Sequence, residues 1–177
     1  MNFKQLLAKY VIGNITTEQL PELAVVALEE GFQSPSLYIL VGLSKHESPY
    51  LIDHYFKLTL EELNIILTDK REAAIEYALT IVDEILAGEK EIISGSRELV
   101  YKAIGAYDFY SESKQYSYDS IGYERAYGLF DTFEELSKAD KPWQKEKTNE
   151  QLMEEIKVEL LEELRKWRDL IESAKED

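Results

Sequence analysis

There is no cysteine among the 177 residues, which excludes disulfides, thiolate metal ligands and a cysteine nucleophile. Histidine occurs only at His46 and His54, so imidazole chemistry has little to draw on. Basic residues are also short. Twenty Lys and Arg stand against 35 Asp and Glu, a formal net charge of −15. Phosphate backbones and anionic bilayer surfaces reward Lys and Arg. The charge therefore argues against nucleic acid and membrane as partners and suits a basic protein. No apolar run approaches the ~18 residues of a membrane span. The opening stretch, MNFKQLLAKYVIGN, lacks the long apolar region and small-residue cleavage site of a signal peptide and reads as an ordinary first helix. The expectation is a cytoplasmic protein. The glycine-rich phosphate loop, dinucleotide fingerprint, nucleophile elbow, H-E-x-x-H and acidic calcium loop are all missing, which removes the common catalytic routes.

What is present is helical periodicity. No segment sustains two-residue alternation, so the chain reads as all-α, a compact irregular bundle of helical hairpins with a long C-terminal helix. The sharpest local signal is the corner within LPELAVVALEEGFQSPSLYILVGL, Leu20 to Leu43. Gly31 is placed to end one helix in the left-handed conformation. Phe32 then folds back towards Ala27 or Val26, Ser34 caps the next helix and Pro35 takes its first position. Ser48-Pro49 repeats that start. Thr16 with Gln19, and Asp69 with Glu72, have capping-box spacing. Ile15 to Leu20 reads as a helix start, but Pro21 disturbs its register, so the main helix begins either there or at Pro21 after one preliminary turn. Ala74, Tyr77, Ala78, Ile81, Val82, Ile85 and Leu86 form the cleanest amphipathic stripe, ended by Gly88. Leu99 to Tyr107 is the next helix, and Asp119 is placed to cap the one after it. Ile65-Ile66-Leu67 and Ile92-Ile93 read as buried turns.

Residues 138–148 have no periodicity and contain Pro142, so they read as a connector between a 1–137 helical domain and a helix over 149–177. That helix carries Met153, Ile156, Leu160, Leu164, Trp167, Ile171 and Ala174 at spacings of 3, 4, 4, 3, 4 and 3, close to a heptad. Ile156, Leu160, Leu164, Trp167 and Ile171 must be buried, either on the domain or against a second copy in a homodimer. The segment A-L-E-E-G-F-Q-S-P-S-L-Y-I-L-V-G-L, Ala27 to Leu43, resembles a segment of small bacterial helical proteins with no assigned activity. Its fixed residues are caps and core positions, so the resemblance implies a fold and no catalytic residues. In size and charge the chain is also similar to immunity proteins that neutralise toxins.

Few side chains offer chemistry. His46 and His54, with Glu47 and Asp53 beside them, are eight residues apart and do not make a closed metal site; no metal or other cofactor is expected. The carboxylate pairs, such as Glu29-Glu30 and Glu61-Glu62, point about 100° apart on a helix and read as solvated. Tyrosine is the exception: seven of the twelve lie between Tyr101 and Tyr127. Core duty accounts for Tyr101, Tyr107, Tyr123 and Tyr127. Tyr110, Tyr116 and Tyr118 fall in or beside a serine-rich loop, where a rigid ring with a polar tip suits recognition. The expected function is a non-catalytic interaction module of immunity or adaptor type towards a basic protein. The alternative is a small-molecule-binding protein or enzyme with a site between helices.

Overall fold

The computed structural model describes residues 1–176, the side chains through Lys175. Among the described residues all regular structure is helical, with no strand. It is an all-α bundle ending in a long helix, and no helix is long and apolar enough to cross a membrane. The chain folds as two compact units, one of Met1–Tyr77 and one from Ala78 onward. The sequence places its organisational break near 137. The division instead falls inside the most regular amphipathic segment, where periodicity continues unbroken and gives no sign of it.

The first unit contains α1 (Phe3–Val11), α2 (Leu20–Glu29), α3 (Pro35–Gly42) and α4 (Pro49–Glu62), and takes in the start of α5 (Lys70–Leu86). Its core joins Phe3 and Leu7 of α1, Leu20, Leu23, Ala24 and Ala27 of α2, Leu37 and Leu40 of α3, and Ile52, Phe56 and Leu60 of α4. A 3-10 turn at Thr17–Gln19 precedes α2, and Pro21 lies at the start of that helix. Gly31 has φ +91°. Its N–H donates to the Leu28 carbonyl and the Phe32 N–H to the Ala27 carbonyl, both at 3.0 Å. These two bonds satisfy carbonyls that the helix end would leave orphaned. The Phe32 ring meets Phe3, with centroids 5.1 Å apart. Ser34 accepts from the Leu37 N–H at 3.2 Å. Ser48 makes no such bond, so the second Ser-Pro start works through proline alone. The run at Ile65-Ile66-Leu67 is not a buried turn: Ile66 is 93% exposed. Asn64, at φ +52°, ends α4 there and sets the chain turning at the surface.

Two helix starts in this unit are satisfied by carboxylates from far along the chain. Glu30 accepts from the Phe3 N–H at 2.6 Å. Glu62 accepts from the Ser36 N–H at 2.9 Å and the Ser36 hydroxyl at 2.7 Å. A carboxylate at a helix N-terminus gains both the orphan N–H and the positive end of the dipole. The Ser36 N–H, and then the Ser36 and Ser34 hydroxyls, hold Glu62 below the usual glutamate range.

The second unit takes in the rest of α5 and contains α6 (Ile92–Glu98), α7 (a single turn, Tyr110–Ser113), α8 (Glu124–Ser137) and α9 (Asn149–Glu176). Ile92-Ile93 is a helix start rather than a buried turn. The Glu91 carboxylate accepts from the Ile93 and Ser94 N–H groups at 3.0 and 2.8 Å. Gly95 is buried inside the helix. After Glu98 the backbone widens into a π-helix over Leu99–Ala103 and tightens into a 3-10 turn over Ile104–Ala106. Helix α9 packs on α8. Leu160, Leu164 and Trp167 are buried, with Ile156 and Ile171 half-buried beside them. Each full burial stabilises by about 1.5–3 kcal/mol. Arg125 ties the two helices with ion pairs to Glu159 at 2.7 Å and Glu163 at 3.4 Å.

Two outcomes test this account of the first unit. Gly31→Ala forces a side chain into φ +91° and should cost about 1 kcal/mol or more in urea unfolding. Gly42→Ala, in a helix with open space around the new methyl, should instead gain about half a kcal/mol. For Glu62 the sign follows from its lowered folded pKa. Its stabilisation is present above the ordinary value of 4.5 and is lost as pH falls through the folded value. Glu62→Gln should therefore lower the urea midpoint at about pH 7 and show a smaller difference from the parent at about pH 3.

Candidate functional site

The tyrosine-rich stretch is held by turns rather than by helices. The π-helix brings the Val100 carbonyl against residue 105, only 2.4 Å from where a Cβ would stand. Gly105 is thus required there by close approach, and it begins the wall of a cleft. Phe109 is fully buried and anchors the next turn. The Ser111 N–H and hydroxyl bond back to Asp108, and the Ser120 hydroxyl donates to the Phe109 carbonyl at 3.2 Å. Asp119 does not cap α8. It lies in its own 3-10 turn, where it accepts from the Ser113 hydroxyl and from the Tyr116 N–H at 3.4 Å. It closes the loop on itself, and α8 starts at Glu124 without a side-chain cap.

Two open clefts of about 390 Å³ each flank this loop. One is lined by Gly105 to Tyr110 with Ser117 and Tyr118, the other by Tyr116, Ser117, Glu124 and Tyr127. The three loop tyrosines named from sequence all line one or the other, but they do not play the same part. Tyr110 is 53% and Tyr116 69% exposed. Tyr118 is half-buried at φ +67°, its ring edge-on to Tyr127 and Tyr123 with centroids 5.1 and 6.2 Å away. It belongs to the aromatic support of the loop as well as to its surface. Tyr101, assigned to the core by helical spacing, is 67% exposed, because the wider π turn rotates it off the buried face. Sequence spacing has no signal for that change of pitch.

Behind the clefts lies a buried ring stack. Tyr123 is fully buried, edge-on to Trp167 at 5.2 Å. Trp167 Nε1 donates to the Ile121 carbonyl at 2.9 Å, a bond between residues 46 apart. The Tyr123 hydroxyl is buried with no hydrogen-bond partner. Burial, followed by neighbouring phenols, raises Tyr118 and Tyr123 above the ordinary tyrosine value. Burial, followed by the Asp131 carboxylate and then Tyr101, raises Tyr127. These phenols stay protonated near neutral pH. They can donate hydrogen bonds and offer ring surface, and they are poor bases or nucleophiles.

The charge around the clefts is mixed but leans acidic. Asp108 lies in one and Glu124 in the other, and neither is paired with a cation in the described structure. Lys114 is a nearby cation, and Arg125 is already committed to Glu159 and Glu163. His46 and His54 belong to the first unit, and among the described residues no three histidine or carboxylate groups gather as a cation site. No protein family, curated protein or solved structure matches this chain.

The division of labour among the tyrosines has a direct test. Tyr110→Ser with Tyr116→Ser should leave the thermal midpoint nearly unchanged, because their rings are largely in water. Tyr118→Ser should lower it measurably by opening the ring stack. Tyr123→Phe removes a buried hydroxyl without a partner and should be neutral or stabilising by up to about 1–3 kcal/mol. A loss there would show that the hydroxyl has a partner, such as a bound water.

Proposed function

We propose that this protein is a non-catalytic, cytoplasmic interaction module whose tyrosine-lined clefts receive a basic segment of a protein partner, in the manner of an immunity or adaptor protein. The observation that carries the reading is the pairing of exposed rings with carboxylates that no cation neutralises in the described structure: Tyr110 with Asp108 in one cleft, Tyr116 with Glu124 in the other. An arginine or lysine side chain can lay its stem on a ring and its charge on a carboxylate, gaining cation–π and ion-pair contact together. Elsewhere much of the acidic excess is already used, in helix caps and in ion pairs along α8 and α9. The clefts are also shallow and open. Small-molecule sites bury most of their ligand, whereas a peptide needs a surface of this kind. The likeness of Ala27 to Leu43 to small bacterial helical proteins concerns caps and core of the first unit, and bears on the fold rather than on this surface.

The reading predicts a localised response. A short arginine- and lysine-rich peptide, titrated into the full chain, should shift NMR signals of Tyr110, Tyr116, Ser117 and Glu124. Tyr110→Ser with Tyr116→Ser should weaken binding while the melting curve stays the same. Shifts spread along the acidic face of α9 instead would reduce the effect to net charge and remove the site.

A further inference from the structure

The two clefts beside the tyrosine loop differ in chemistry. The one that runs from Gly105 to Tyr110 has a mainly polar wall. The one lined by Tyr116, Ser117, Glu124 and Tyr127 has a mainly apolar wall, with a single carboxylate in it. No lysine or arginine lines this second cleft. Lys114, the one basic residue between Asp108 and Tyr123, is not part of its wall, and Arg125 is held by Glu159 and Glu163. Glu124, Tyr127 and Asp131 follow one another at helical spacings of three and four, so they share a face of α8. Gly128 lies on that face too, with open space where a Cβ would stand, which leaves the helix bare beside the Tyr127 ring. Tyr118 meets Tyr127 edge-on, at 76° between ring planes. Burial, then the Asp131 carboxylate and then the Tyr101 phenol hold the Tyr127 hydroxyl above the ordinary tyrosine value. An acid and the phenol that the π-helix turns outward therefore stand close to it.

Such a wall favours one kind of cation over others. A primary ammonium brings three N–H donors, and each loses its water against ring carbon without a full replacement. A quaternary ammonium has no N–H at all. Its charge is spread over methyl groups that lie directly on a ring face, where the quadrupole attracts them. We propose that the second cleft binds a quaternary ammonium group, with Tyr116 and Tyr127 as its ring walls and Glu124 as its counter-charge. The inference rests on the reading of the clefts as a site for basic segments and states which cation one of them selects. The cleft is open on one side, so the group fits equally as the head of a longer side chain, as in trimethylated lysine, or free, as in choline.

Titration into the full chain, followed by the ring NMR signals of Tyr116 and Tyr127, tests the proposal. The probes are a short basic peptide with one trimethyllysine, the same peptide with plain lysine, the same peptide with the neutral isostere in which carbon replaces the ammonium nitrogen, and choline alone. The trimethylated peptide should bind at least about threefold tighter than either of the other two. Tyr116→Ser should remove that preference, whereas Tyr116→Phe, which keeps the ring, should retain it. Tyr116 is 69% exposed, so neither change touches the core. Glu124→Gln should weaken the trimethylated peptide more than the neutral one. Tyr110→Ser, in the other cleft, should leave the preference intact. Choline that shifts the same two rings supports a free ligand, and a trimethyllysine preference without choline binding supports a modified side chain. Plain lysine or the neutral isostere binding as tightly as the trimethylated peptide would overturn the quaternary ammonium and leave the interaction module standing. Choline bound with no peptide would keep the ammonium site and remove the module. No binding by any probe would remove both.

Discussion

The hydrogen bond from Trp167 to the Ile121 carbonyl is the tie on which the second unit's functional surface depends. An indole N–H buried without an acceptor is costly, so Trp167 cannot be buried unless the 119–122 turn is where it is. That turn in turn fixes Tyr123 against the indole and Tyr118 against Tyr123 and Tyr127. One side chain of α9 thus sets the backs of both clefts. The stripe that looks like a device for burying apolar area is also what gives a loop of turns a defined surface. Turns alone would not, because each contributes one or two hydrogen bonds worth about 1 kcal/mol net.

The excess of acid is put to structural use. Glu30 and Glu62 bond to the starts of helices 27 and 26 residues away, and Glu91 caps its own helix. Arg97 with Glu134, and Arg125 with Glu159 and Glu163, use further carboxylates to join elements of the second unit. A carboxylate is well suited to this work because it accepts several bonds at once and is favoured by the helix dipole. Self-repulsion among the remaining charges is the cost.

Much of the first unit was legible in the sequence because its signals are local. Gly31, Ser34 and Pro35 act within four residues of themselves, and the apolar spacing of α5 and α9 needs no knowledge of what they pack against. What could not be read depends on distance or on a change of pitch. Nothing near Glu62 announces that it will hold Ser36. The π-helix at Leu99–Ala103 keeps an ordinary apolar pattern, yet it turns Tyr101 outward, where helical spacing places it inward. Asp119 has a good cap's chemistry but spends it on Ser113 and Tyr116. The tyrosine cluster was visible as composition; which of its rings support and which are offered was decided by the stack on Trp167.

The same distinction explains why the connector's lack of periodicity is a poor guide to its order. Residues 138–148 have no apolar stripe, yet Asn149 alone makes three bonds to their backbone. A single amide can do this because it donates twice and accepts on its oxygen, and the α9 backbone holds it in place. The loop is therefore ordered from its far end by the first residue of a helix. That helix is itself held by Leu160, Leu164 and Trp167. Order in both the cleft and the loop passes through α9, so a weakening of its packing reaches the two surfaces together even though neither lies on the helix itself.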